Sequence, residues 1–355
     1  MGLPNVNISF IERAIASIAR SERGTVALIL KEATVPTTNP VVVLDPSDIP
    51  SKISDVNREQ IELALIGYTK APKKVICYFI ANGQTVDYST AYSYLEVTPF
   101  DYLAIPTVET DGKTAEVASW IKAQRTSGKM CKAVLPNSAS DCEGIINFAT
   151  PMLVKGSTTY KTEEYCSRIA GLLAGTPLTI ASTFAPLPEL TDCTKLKTSE
   201  LDAAIDAGKF IVFHDGEKVK VGRGVNSLVT TNQEKGTQFK KIKIVEAMDM
   251  IFDDVKKTAE DNYLGKYSNS YDNKCLLISA INGYFEKLIL DGILEEASVG
   301  IDIPTQRAYL KGTGVATDSL SDKEIKVYNT GDKVFLTAKV TILDAIEEIS
   351  LPIYL

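Results

Sequence analysis

Thr25-Val26-Ala27-Leu28-Ile29-Leu30 is an unbroken apolar run, preceded by Gly24 and followed by Lys31-Glu32. With no polar residue every second position it has no face for water, so it reads as a strand covered on both sides. The same character returns at Lys74–Ile80, Tyr102–Ile105, Cys131–Leu135, Leu178–Ser182 and Phe210–Phe213. Helical periodicity fills the intervals at Val56–Tyr68, Thr114–Thr126, Thr162–Ala174 and Ser199–Ala207. Apolar strands alternating with helices predict an α/β body with a mixed, largely buried sheet over residues 21–239, with a subdivision near 98/99. Val219–Thr231 reads as a β-hairpin around its glycines.

The pattern changes near Lys240. Helices are expected at Ile244–Tyr263 and Lys274–Leu294, the second with Leu277, Ile281, Tyr284 and Leu288 on one face. A Gly- and Ser-rich connection at Gly312–Ser321 then leads to a strand at Val334–Ile342. Residues 240–355 therefore form a C-terminal helix-and-strand domain, completed by an N-terminal arm at 1–20 that includes a short helix, Ile11–Arg20. The fold class is α/β in the body and α+β overall.

Both ends read as strands with one hidden face. Val6, Ile8 and Phe10 alternate with Asn7 and Ser9; Ile349, Leu351, Ile353 and Leu355 alternate with Ser350, Pro352 and Tyr354. A strand running to the last residue closes no hairpin beyond itself, so the partner of arm 346–355 lies elsewhere. Both termini pairing within one sheet of the same chain is equally compatible with the pattern.

At 355 residues, with 45% apolar and 23% charged content, the chain is an ordinary globular protein of two or three domains. A net charge of −7 argues against nucleic acid as a partner. No apolar run reaches the length of a membrane span, and MGLPNVNISF lacks the pattern of a secretory signal. Val6 stands where a myristoylation motif wants Ser or Thr. Six cysteines without a C-x-x-C pair, and the single histidine His214, offer no metal set and read as reduced fillers.

Gly222-Arg223-Gly224 lacks the Lys-Ser/Thr of a nucleotide loop and the third glycine of a dinucleotide motif, so it reads as a turn or bulge. Gly171 and Gly175 suit a helix that approaches a neighbour closely and then stops. His214-Asp215-Gly216 ends a strand without a nucleophile beside it and reads as a turn. Asp253-Asp254, Glu295-Glu296 and Glu347-Glu348 read as solvated or interface faces. No catalytic, cofactor-binding or metal-binding residue emerges.

Several segments together resemble the contractile-tail sheath proteins, most of all the compact sheaths of myophages and diffocin-like R-type bacteriocins. They are ERGTVALIL (22–30), FDYLAIP (100–106), RIAGLLAGTPLTIASTFAPL (168–187), the run 210–230 ending VGRGVNSLVT, residues 239–269 with IVEAMDMIFDDVKKTAEDNYLGKYSN, and the end VFLTAKVTILDAIEEISLPIYL. The resemblance covers most of the chain in family order. It implies no enzyme and no cofactor, but a virion or particle component that assembles with itself in stacked six-membered rings around an inner tail tube. Baseplate and tail terminator proteins would be further partners, with no membrane insertion by this chain. It implies assembly in a bacterial cytoplasm and release by lysis, whether as a phage or as a headless bacteriocin.

Strand exchange through Val6, Ile8, Phe10, Ile349, Leu351, Ile353 and Leu355 would then link the subunits by β-augmentation. Burying Val6, Ile8 and Phe10 yields about 5–9 kcal/mol and a short ladder about 5 more, against about 6–14 for ordering the segment. One arm nearly breaks even; two per subunit, reinforced by body contacts, hold. Asp253, Lys256, Lys257 and Glu260 form a charged helical face suited to the tube or to neighbouring subunits, and equally to plain solvation. The alternative is a small-molecule enzyme or binding protein with a doubly wound α/β domain, which requires a pocket with convergent polar groups.

Overall fold

A computed structural model describes residues 18–20, 23–83 and 86–354. The chain divides into two compact units, one of residues 21–253 with 343–355, the other of residues 254–342 with the segment up to 20. The division falls inside a helix, whereas the boundary read from sequence at 239/240 lies just before that helix begins.

The elements of the larger unit run β1 (Thr25–Glu32), β2 (Val41–Val43), α1 (Asp55–Leu65), β3 (Lys74–Ala81), α2 (Ser89–Val97), β4 (Tyr102–Ala104), α3 (Thr114–Thr126), β5 (Lys132–Pro136) and β6 (Ile145–Phe148). They continue with β7 (Met152–Lys155), β8 (Thr158–Lys161), α4 (Cys166–Ala174), β9 (Asp192–Cys193), α5 (Thr198–Asp206), β10 (Lys209–Phe210), β11 (Val212–His214), β12 (Val219–Val221) and α6 (Ile242–Asn262). Seven strands form one sheet in the order β10-β6-β5-β4-β1-β3-β2, parallel except for β2. This is the mixed α/β body expected from the sequence.

The continuous apolar reading of β1 has a direct cause. Val26, Leu28 and Leu30 enter one core with residues of α1 and α4, while Ala27 and Ile29 enter a second core with residues of α2 and α3. Successive side chains point to opposite faces, so a sheet covered on both sides has no use for polar alternation. Gly171 lets α4 lie against α1: a Cβ there would sit 1.9 Å from the Ala64 carbonyl oxygen. Gly175 then caps α4, as its spacing implied.

The smaller unit contains α7 (Tyr271–Leu290), β13 (Leu294–Ile301), α8 (Ile303–Gly312), α9 (Asp322–Val327) and β14 (Leu336–Ile342). Strands β13 and β14 pair antiparallel, Ile301 opposite Leu336 and Leu294 opposite Ile342. The buried stripe of α7, including Ile281, Tyr284 and Leu288, follows the helical pattern seen in the sequence.

Three expectations are corrected. Leu178–Ser182 is a turn that follows the helix stop at Gly175, and Pro177 before it has no N–H to give a ladder. The hairpin at Val219–Thr231 is instead β11 paired with β12 across Asp215-Gly216, where Gly216 supplies a φ of +107°. Phe210–Phe213 is two short strands, one joining the large sheet and one the hairpin. The N-terminal strand Val6–Phe10 lies outside the described residues, as does Ile11–Arg20 except 18–20, which hold no regular element.

Candidate assembly surface

Residues 343–354 form no strand ladder with any described residue. This segment has two parts of opposite character. Its root is clipped to the larger unit by charge. Lys243 Nζ donates to the Leu343 carbonyl, and Lys241 Nζ pairs with Asp344 and lies 3.5 Å from Glu347. Arg223 holds Glu347 through Nε at 2.9 Å and through a second nitrogen at 2.8 Å, and reaches Glu348 at 3.2 Å. The Thr183 hydroxyl donates to the other Glu347 oxygen. Burial pushes the Glu347 carboxyl up, but Thr183 and Arg223 outweigh it and hold it below the ordinary carboxylate range.

Beyond Glu348 the arm is bare. Ile349, Leu351, Ile353 and Tyr354 are 75–90% exposed, and Ile346 within the root is 87% exposed. Leu355 lies outside the described residues. Exposed apolar side chains grouped in this way are uncommon on a folded monomer.

The sheet edges differ in length. The body sheet ends in β2, of three residues, and β10, of two, too short to template a long added strand. The two-stranded sheet offers β13 with eight residues and β14 with seven, with Thr337, Ala338 and Lys339 of β14 exposed. Asn282 on α7 accepts the Val299 N–H at 3.0 Å, so β13 spends one donor on its own unit.

A buried ion network fixes the start of α6 to the body. Lys132, which opens β5, lies 2.8 Å from Asp249 and 3.0 Å from Glu246 and is 1% exposed. Arg125 binds Asp249 through two nitrogens at 2.9 Å each. Arg23 joins Asp101 at 3.0 Å and Glu246 at 3.5 Å, while Asp101 accepts the Gly24 and Thr25 amides at 2.8 Å. Burial raises Asp249, but Lys132 and Arg125 hold it below the usual range. The signal available in the sequence was the 3-4 spacing of Glu246, Asp249 and Asp253 on one helix, with a lysine leading an apolar strand.

Of the charged face read on α6, Lys257 and Glu260 are exposed and Asp253 and Lys256 half-buried. Asp253 is pushed up to about 6, first by burial and further by the charge of Asp249. Arg223, Lys241 and Glu347 were not read as a unit, because pairing across such sequence distances leaves no local pattern.

The other chemical candidates are committed to structure. In open α/β sheets ligands bind where strand order reverses, here at the C-terminal ends of β1 and β4. There Glu32 accepts from Ser54 and Asn57, Asp111 from Tyr88, Thr107 and Lys31, and Glu163 from the Glu109 and Thr110 amides. The carboxylates at this position are thus engaged by the chain's own donors. A shallow, solvent-open recess is lined by Leu178, Ile180 and Ile242, and its Lys243 and Glu246 already hold partners. His214 accepts the Gly216 N–H in the hairpin turn. Five cysteines are buried and Cys275 is half-buried, all as free thiols, with Cys77 raised by burial. No group of three potential metal ligands occurs among the described residues, and no described helix is long and apolar enough to cross a membrane.

Comparison with known proteins follows the same lines. Residues 81–227 match the phage tail sheath protein central domain and residues 234–355 the phage tail sheath C-terminal domain. The tail sheath protein of Clostridium phage phiCD119 is 36% identical over 99% of this chain and 98% of its own length. Among solved structures, a sheath tail protein of Desulfitobacterium hafniense superposes with a TM-score of 0.69 at 18% identity, covering 84% of this chain and 94% of that one. The helical sheath of the anti-feeding prophage in its contracted state superposes with a TM-score of 0.72 at 14% identity, over 100% and 99%. At such identities the structural likeness speaks to fold.

Proposed function

The chain belongs to the phage tail sheath family, and from that premise we propose that its copies assemble by exchanging terminal strands into a contractile sleeve around an inner tube. The observation that carries this is the division of the C-terminal segment into a root fixed by charge and a bare apolar blade. Residues 349–355 match β14 of a neighbouring copy in length, and a two-stranded sheet gains most from added strands. Val6, Ile8 and Phe10 supply the second arm in this proposal, with segment 1–20 joining the C-terminal domain 240–355 and the body spanning 21–239.

Sliding of the bodies between two sets of contacts, with the arms still joined, is the proposed contraction. With those carboxylates engaged by the chain's own donors, the work of contraction is proposed to be stored during assembly. Lys257 and Glu260, with Asp253 and Lys256 beside them, are proposed contacts to the tube or to adjacent subunits. A baseplate is the proposed template, a terminator protein the proposed stop, and lysis the route of release. Analytical ultracentrifugation should find a monomer at micromolar concentration, and electron microscopy should show sheathed tubes only after tube and baseplate are added. Tight dimers without a template would refute the templated route.

A further inference from the structure

Resting on the strand-exchange reading, we infer that arm 349–355 joins the β13–β14 sheet of a second copy through its odd-numbered residues, as that sheet's outermost strand, with Pro352 turned away. In an extended strand the N–H and C=O of one residue point to the same side, and successive residues alternate sides, whether the pairing is parallel or antiparallel. The odd edge of this arm is built by Ile349, Leu351 and Ile353, whose side chains also share one face. The even edge is built by Ser350, Pro352 and Tyr354.

Pro352 has no N–H, so the even edge has a missing donor at its centre and the odd edge has none. The side chains at 349, 351 and 353 are 84%, 76% and 75% exposed, so their shared apolar face is unused within this chain and free to be buried against another. Leu351, preceding proline, is biased towards the extended backbone that the ladder requires. Proline within a sheet is confined to outer edges, where it also blocks a further strand. The unbroken row of donors selects the orientation: odd residues inward, proline outward. The arm then ends the sheet it joins and cannot recruit a third chain.

A proline scan tests the parity. Leu351→Pro and Ile353→Pro remove inward donors; Ser350→Pro and Tyr354→Pro remove outward ones. Leu351→Ala and Ile353→Ala separate side-chain loss from donor loss. Each full-length variant is mixed with tube and baseplate, and sheathed particles are counted by negative-stain electron microscopy. We expect the odd prolines to give at least about tenfold fewer sheathed particles than the matching alanines, and the even prolines to stay near wild type. The arm is exposed, so the melting temperature of the free subunit should be unchanged throughout. Even prolines as damaging as odd ones, or odd prolines no worse than alanines, would overturn the inference. A chain lacking 349–355 is the separate control: if it still forms sheaths, the strand-exchange reading itself fails.

Discussion

The seven-stranded sheet of this protein and the sheet of β13 and β14 treat their edges in opposite ways. The seven-stranded sheet is covered on both faces and tapers to edge strands of three and two residues, so it offers little for another chain to extend. The sheet of β13 and β14 has only two strands, each long, with several exposed side chains. The first leaves little edge unpaired; the second leaves both of its strands open on one side, the edge that the proposed strand exchange would use.

The strongest challenge to that contrast is removal of residues 349–355. Sheath formation should be lost while the melting temperature of the subunit moves by no more than about 1 °C, because the segment contributes no burial to its own chain. Lys132→Met tests the body instead. It leaves Asp249 and Glu246 buried beside a missing charge, and urea titration should report a loss of about 3–5 kcal/mol. Gly171→Ala forces a methyl group against the Ala64 carbonyl and should cost about 3 kcal/mol in the same titration.

Glu347→Gln lies at the junction of the two strategies. It should loosen the root by about 1 kcal/mol, seen as faster hydrogen exchange at 343–348 with little change in global stability. Because the folded carboxyl is held low, its contribution is present above the unfolded value and lost as pH falls through the folded one. Asp253→Asn has the opposite sign. A carboxyl raised from 3.8 to about 6 binds its proton more tightly when folded, so its charge disfavours the fold above about pH 6 and not below about 4. The variant should be slightly more stable than wild type at pH 7 and indistinguishable at pH 4.

The sequence disclosed most where structure is local. Helix α3 spans the expected residues, and β1, β3 and β5 follow the expected apolar runs to within two residues at each end. It failed where a segment's state depends on distant partners. Leu178–Ser182 is apolar enough for a strand but follows a helix stop and a proline. Strands β2 and β13 passed unread, β2 because three valines are too short a pattern and β13 because Glu295-Glu296 interrupts it. At the candidate site the apolar blade was legible from its alternation. Its charged root was not, since Arg223 and Lys241 meet Glu347 only after folding.

With subunits joined through the blade as proposed, the root also bears on what happens when they move apart. Tension drawn through the blade reaches Glu347 and its two cations before it can reach the buried strands. The two cations are partly open to water although Glu347 itself is 9% exposed, so these contacts break more readily than a core strand slips out of register. Under the proposed strand exchange the clip would act as a mechanical fuse, yielding before the fold behind it.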